Sequence, residues 1–129
     1  MVRDAEIGLV LYPGVQMAAV LGMTDLFQSA MELGRKKGRA GPALTVSHWR
    51  LEEGKPVRVD AQATSLGDSR PCVLVLPPAL GDPIRREEAA PFAAWLRECH
   101  AGGIQLASIC AGAFLLGETG LLAGRTITT

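Results

Sequence analysis

The chain of 129 residues is 48% hydrophobic and 20% charged, enough apolar material for one globular domain with its own core and too little chain for a second. Thirteen basic residues cancel thirteen acidic ones, so no net field is available to hold a nucleic acid or an anionic membrane, and direct DNA binding by residues 1–129 is not expected. Three cysteines without a CxxC pair, and two histidines without a cluster at metal-ligand spacing, argue against a disulfide framework and predict no metal site. The start, Met1-Val2-Arg3-Asp4-Ala5-Glu6, has no signal-peptide pattern, and no apolar run approaches the ~18 residues of a membrane helix. A reduced, cytoplasmic setting without membrane association is therefore expected.

Ile7 to Tyr12 is nearly all apolar, as a parallel strand covered on both faces requires, and Pro13-Gly14 ends it. From Val15, the apolar residues Met17, Val20, Leu21, Phe27, Ala30 and Met31 recur mostly at three- and four-residue intervals and predict a helix to about Leu33. The basic, glycine-rich stretch Gly34 to Pro42 resembles an anion loop in composition only. It lacks GxGxxG or Walker spacing and reads as a solvated connection whose cations complement a helix C-terminus. No cofactor is expected.

Leu44 to Trp49 alternates apolar and polar, and after the turn residues Glu52 to Lys55 a second alternating run, Pro56 to Ala61, predicts a hairpin at a sheet edge. His48 has no acidic or cysteine neighbour in sequence and is read as a partly buried strand histidine without a role. Cys72 to Leu76 is again a continuous apolar strand, and Pro77-Pro78-Ala79-Leu80-Gly81 forms a loop at its carboxyl end, where α/β sheets keep their sites. Asp82 and Pro83 are a suitable N-cap and first residue for a helix to about His100, with Phe92, Ala93, Leu96 and Cys99 on its apolar stripe. Core packing accounts for both Cys72 and Cys99.

Ile104 to Leu116 reads as strand, tight turn and helix, with Ser108-Ile109-Cys110-Ala111-Gly112 at the spacing of a nucleophile elbow. The helix is expected from about Ala113 to Gly117. Amide donors in its first turn would favour the Cys110 thiolate, and amides of Ala111 and of the Pro78-Ala79-Leu80 loop would converge on an oxyanion. Spacing alone supports equally a small apolar cysteine tolerated at a turn. A base is missing: His100 sits at a helix end across a strand of roughly 20 Å from Cys110. The last run, Arg125 to Thr129, is β-prone, and a sheet ending inside a strand suggests a fragment of a longer protein.

Three segments carry a family resemblance: Gly8 to Gln16 with Gly22 to Phe27; Val73 to Pro77; and Ser108 to Leu116 continuing through Gly120 to Thr129. They resemble the ThiJ/PfpI group of the class I glutamine amidotransferase-like fold, and especially the N-terminal domains of AraC-type transcriptional regulators. The resemblance implies an α/β, three-layer, doubly wound, mostly parallel sheet with helices on both faces, occupying residues 1–129. It also implies a helix-turn-helix DNA-binding domain beyond residue 129, so that DNA would be a partner only through that domain.

In enzymes of this family the cysteine works with a histidine after paired threonines, a position immediately following Thr129. An acidic residue after the first strand is also common, and the matching position here is Ala19. Where relatives often have paired glycines, this chain has Pro78-Ala79-Leu80, and Pro78 removes an amide donor. These departures point to an effector-sensing, homodimerising domain that binds a small molecule near Cys110, with Gly14, Ala19, Ala79, Leu80 and Ala111 around it. The alternative is a stand-alone cysteine hydrolase, hydratase or amidase with Cys110 as catalytic residue. A redox sensor oxidised at Cys110 is a third reading.

Overall fold

The computed structural model describes residues 4–39, 41–59 and 70–128. Ala40, Asp60, Ala61 and Thr129, which the sequence places in the basic loop, the hairpin partner and the last strand, lie outside the described residues.

The sheet has five strands. In chain order the elements are β1 (Ala5–Val10), α1 (Met17–Lys36), β2 (Leu44–Glu52), β3 (Lys55–Arg58), β4 (Val73–Leu76), α2 (Arg86–Ala101), β5 (Gln105–Ser108) and α3 (Gly112–Glu118). The strand order is β3-β2-β1-β4-β5. β1 pairs in parallel with β2, from Ala5 opposite Leu44 to Val10 opposite Trp49, and with β4 from Ile7 opposite Val73 to Leu9 opposite Val75. β5 adds in parallel to β4, and β3 is antiparallel to β2. The chain thus winds outward from β1 in both directions, a doubly wound, mostly parallel α/β fold, and the switch point lies between β1 and β4.

Strand alternation divides the core in two. Val10, Leu74 and Leu76 face α2 and α3, where they meet Phe92, Trp95, Leu96, Leu115 and Leu116. Their neighbours Leu9 and Val75 face the other way and meet Val20 of α1. Successive residues in a strand point to opposite faces, so the continuous apolar runs of β1 and β4 fill both layers.

On α1 the sequence periodicity is only partly realised. Val20 is fully buried and Met23, Phe27 and Met31 are half-buried toward the sheet, whereas Met17, Leu21, Leu26 and Leu33 are 46–64% exposed. The helix is apolar on more than one side, so periodicity did not single out the covered face. It runs past Leu33 to Lys36, with Arg35 and Lys36 in its last turn, and the exposed basic stretch follows.

Further corrections fall at element ends. α2 begins at Arg86 rather than after Asp82, because Ile84 packs against the core and the chain stays extended through Arg85. Glu87 and Glu88 then occupy the first turn, where they complement the helix dipole. Cys72 is exposed rather than buried, its thiol donating to the Glu6 carbonyl at 3.3 Å just before β4 begins. Cys99 packs on the core as expected, and burial pushes its thiol up against the opposing pull of Arg70. Arg125 to Thr128 forms no strand: among the described residues its one backbone bond is Arg125 N–H to the Leu122 carbonyl, 3.0 Å. β-propensity needs a hydrogen-bonded partner edge to become a strand, and among the described residues this segment bonds to none.

The antiparallel edge is held from inside. Glu53 and Gly54 adopt φ values of 50° and 75° in the tight turn between β2 and β3. Arg58 on β3 lies over the Trp49 ring, 4.8 Å from its centroid, and reaches across β2 to the buried Glu6 carboxylate at 2.8 Å. Trp49 in turn tilts against Trp95 of α2, with ring centroids 6.2 Å apart. Gly8 makes room for this stack, since a Cβ there would sit 2.6 Å from Leu74 Cδ2 and 3.0 Å from the Trp49 ring. Gly8→Ala is therefore expected to lower stability by about 1–3 kcal/mol through overpacking. A reduced urea midpoint with an unchanged m-value would register it.

Candidate functional site

Three loops meet where β1, β4 and β5 end. Beyond β1 the chain turns at Pro13-Gly14, with Gly14 at φ 86°, and Val15 N–H donates to the Tyr12 carbonyl at 3.0 Å. Beyond β4, Pro77 to Leu80 runs alongside this turn. Gln16 N–H donates to the Pro78 carbonyl at 2.8 Å and Leu80 N–H to the Gly14 carbonyl at 2.9 Å, a one-step antiparallel bridge between Val15 and Ala79. The buried Tyr12 hydroxyl adds a bond to the Pro77 carbonyl.

The third loop is the corner between β5 and α3. Ile109 N–H donates to the Leu76 carbonyl at 3.0 Å, extending the β4–β5 ladder by one bond. The next residue, Cys110, has φ 50°, a left-handed conformation that costs a non-glycine side chain of order 1 kcal/mol or more. Gly112 shows why the turn is so sharp. A Cβ at that position would lie 2.1 Å from the Leu76 carbonyl oxygen and 2.9 Å from that of Pro77, so α3 starts against the backbone of the β4 end. Cys110 remains exposed on the outer side of the bend.

Beside the thiol lies an open cavity of about 830 Å³, lined by Ile109, Cys110, Ala111, Ala113, Phe114 and Ile127. Of the residues predicted around Cys110, Ala111 lines this cavity. Gly14, Ala79 and Leu80 belong to the stitched loops, and Ala19 sits in the first turn of α1. Within the facing tripeptide, Pro78 has no N–H and the Leu80 amide is bonded to Gly14, so Ala79 alone makes no backbone bond as a donor among the described residues. Phe114 follows from Cys110 by helical spacing. Ile127 had no sequence signal, because its place depends on how the chain folds back after α3.

Neither histidine lines the cavity. His48 Nε2 lies 2.8 Å from Thr24 Oγ1 between β2 and α1. His100 lines a separate cavity of about 620 Å³ with Ile104, Leu106, Leu122, Arg125 and Ile127, beside the opposite end of β5. Among the described residues no cluster of His, Cys, Asp or Glu is placed to hold a metal ion, and no helix is long and apolar enough to cross a membrane.

Tyr12 is the ionisable neighbour of Cys110. Burial first, and the charge that Cys110 can carry second, push its phenol up to about 12 from 10.0. The hydroxyl therefore stays protonated and continues to donate to Pro77 throughout the neutral range.

Gly112→Ala is expected to cost about 3 kcal/mol or more, because backbone rather than a movable side chain blocks the added methyl; a thermal melt would measure it. Tyr12 holds its proton in the folded state after the unfolded chain has released it, so its contribution to stability is complete below about pH 10 and is lost as pH rises toward 12. The stability difference between wild type and Tyr12→Phe should shrink across that window in urea titrations. A constant difference would refute the assignment.

A family model described as the DJ-1/PfpI family matches residues 13–129. Drosophila melanogaster DJ-1beta superposes with a TM-score of 0.58 at 21% identity, over 91% of this chain and 61% of that one. An AraC family transcriptional regulator from Pseudomonas putida superposes with a TM-score of 0.60 at 19% identity, over 97% of this chain and 77% of that one. The chain thus spans about three fifths of the length of the DJ-1beta structure. No curated protein matches it significantly. The parallel sheet, the cysteine at the positive-φ corner after β5 and the family match over nearly all of its length together establish that the chain belongs to the DJ-1/PfpI family.

Proposed function

We propose that this domain senses a small-molecule effector and mediates homodimerisation in a cytoplasmic AraC-type transcriptional regulator, with DNA held by a separate helix-turn-helix domain. The observation that carries the reading is the apolar cavity beside Cys110, lined among the described residues by Ile109, Ala111, Ala113, Phe114 and Ile127 around the thiol. The fold shared with the Pseudomonas putida AraC family regulator over 97% of this chain supports the same choice.

Ile127 supplies a route for the signal. It lines both the Cys110 cavity and the cavity beneath Arg125 and Thr126, so an effector seated by Cys110 presses on the segment from Arg125 to Thr128. An effector that prefers one position of that segment shifts its population by the difference in affinity between the two positions.

The second reading, a cysteine-dependent hydrolase, hydratase or amidase, is favoured by the exposed thiol at a positive-φ corner. The two separate on one comparison. If the domain senses, the gene should encode a basic helix-turn-helix in frame after Thr129, the protein should sediment as a dimer, and Cys110→Ser should preserve effector-dependent DNA binding. A frame without that motif would overturn the regulator reading. Iodoacetamide labelling of Cys110 that titrates well below the ordinary thiol value of ~8.5 would favour the enzyme.

A further inference from the structure

We infer that the effector of the Cys110 cavity is a small, uncharged and largely apolar molecule, seated against Ile109, Phe114 and Ile127. This rests on the reading of the cavity as the effector site.

Large apolar side chains exposed singly are ordinary on a protein surface, but several converging on one concavity mark a binding site. Ile109 is 41% exposed, Phe114 57% and Ile127 47%, and all three open onto the same cavity, with the methyl groups of Ala111 and Ala113 between them. Its volume of about 830 Å³ suits a small organic molecule rather than a folded partner.

Charge defines the class. Among the described residues, no acidic or basic side chain lines this cavity. Two other cavities differ: Arg125 and His100 line one of about 620 Å³, and Arg35 and Arg39 line one of about 330 Å³. An ion entering the Cys110 cavity would exchange water for hydrocarbon with no counter-charge in the walls, a transfer that strongly disfavours the charged form. Tyr12, beneath the corner, offers none either, because burial keeps it neutral and its hydroxyl is directed to Pro77.

The test uses three isosteric probes, benzamide, benzoate and benzylammonium, on the whole protein in a Cys72→Ser background that removes the other exposed thiol. Intact mass follows iodoacetamide labelling of Cys110. Labelling slows by a factor of one plus the ratio of probe concentration to its dissociation constant, so about elevenfold at a tenfold ratio. Benzamide is expected to protect at millimolar concentration and both ions to leave the rate unchanged. Phe114→Ala should abolish protection, and Phe114→Leu should retain part of it.

Equal or better protection by benzoate or benzylammonium would overturn the inference while leaving the cavity an effector site. Failure of all three probes would overturn both the inference and that site. Protection that grows with protein concentration in the absence of any probe would do the same, by showing a second copy in the cavity.

Discussion

At Gly112 the backbone passes so close to the end of β4 that a methyl group would stand 2.1 Å from the Leu76 carbonyl oxygen, the same oxygen that accepts the Ile109 amide at 3.0 Å. One carbonyl therefore accepts the last bond of the β4–β5 ladder and lies against the first residue of α3. Between those two fixed points the chain must reverse within Cys110 and Ala111. The left-handed φ of Cys110 is the consequence, and the exposure of its side chain follows from the direction of the bend. Strain at a single residue persists only where its surroundings over-determine it, and here the core residues Leu115 and Leu116 anchor the far side of the turn.

The loops opposite the corner are equally constrained, with a different chemical outcome. Backbone bonds between Gly14 and Leu80 and between Gln16 and Pro78, together with the Tyr12 hydroxyl on Pro77, make the carboxyl ends of β1 and β4 one rigid unit. Rigidity uses up donors. An oxyanion site needs amides aimed at an empty position; Leu80 has committed its amide and Pro78 has none to give, which leaves the Ala79 amide as the donor of this loop without a backbone bond among the described residues. The cavity beside Cys110 is walled by hydrocarbon from Ile109, Phe114 and Ile127. The corner thus sets a positive-φ cysteine beside an apolar cavity.

The opposite edge of the sheet shows how polar groups are tolerated when fully engaged. Glu6 is buried, but Arg58 meets it at 2.8 Å while stacking on Trp49. A buried carboxylate without such a partner would destabilise the fold. This clamp ties the antiparallel strand β3 to the central strand β1 across β2, and Gly8 leaves space for the Trp49 ring at its centre.

Much of this was legible in the residues. Unbroken apolar runs in β1 and β4 announced strands buried on both faces, Pro13-Gly14 and Pro77-Pro78 marked the loops at their ends, and the small residues around Cys110 marked the sharp corner. These are local signals, carried by side-chain polarity and by the backbone freedom of a few glycines, and they survive without knowledge of the rest of the chain. The family resemblance read from those same segments agrees with the match over residues 13–129.

Other features existed only once distant segments met. Which side of α1 is covered, where α2 starts, whether Cys72 is buried and whether Arg125 to Thr128 finds a strand partner all depend on contacts remote in sequence. The lining of the cavity is the clearest case, because Ile127 reaches it from the segment beyond α3 and nothing in its neighbourhood announces that role. The sequence by itself determined the apolar strands buried on both faces and the cysteine at a tight corner, since both follow from local periodicity and turn chemistry, and its resemblance to a known family implied the layered sheet. Only the tertiary structure decided what surrounds that cysteine, because side-chain burial and the consumption of backbone donors are set by packing between residues far apart in the chain.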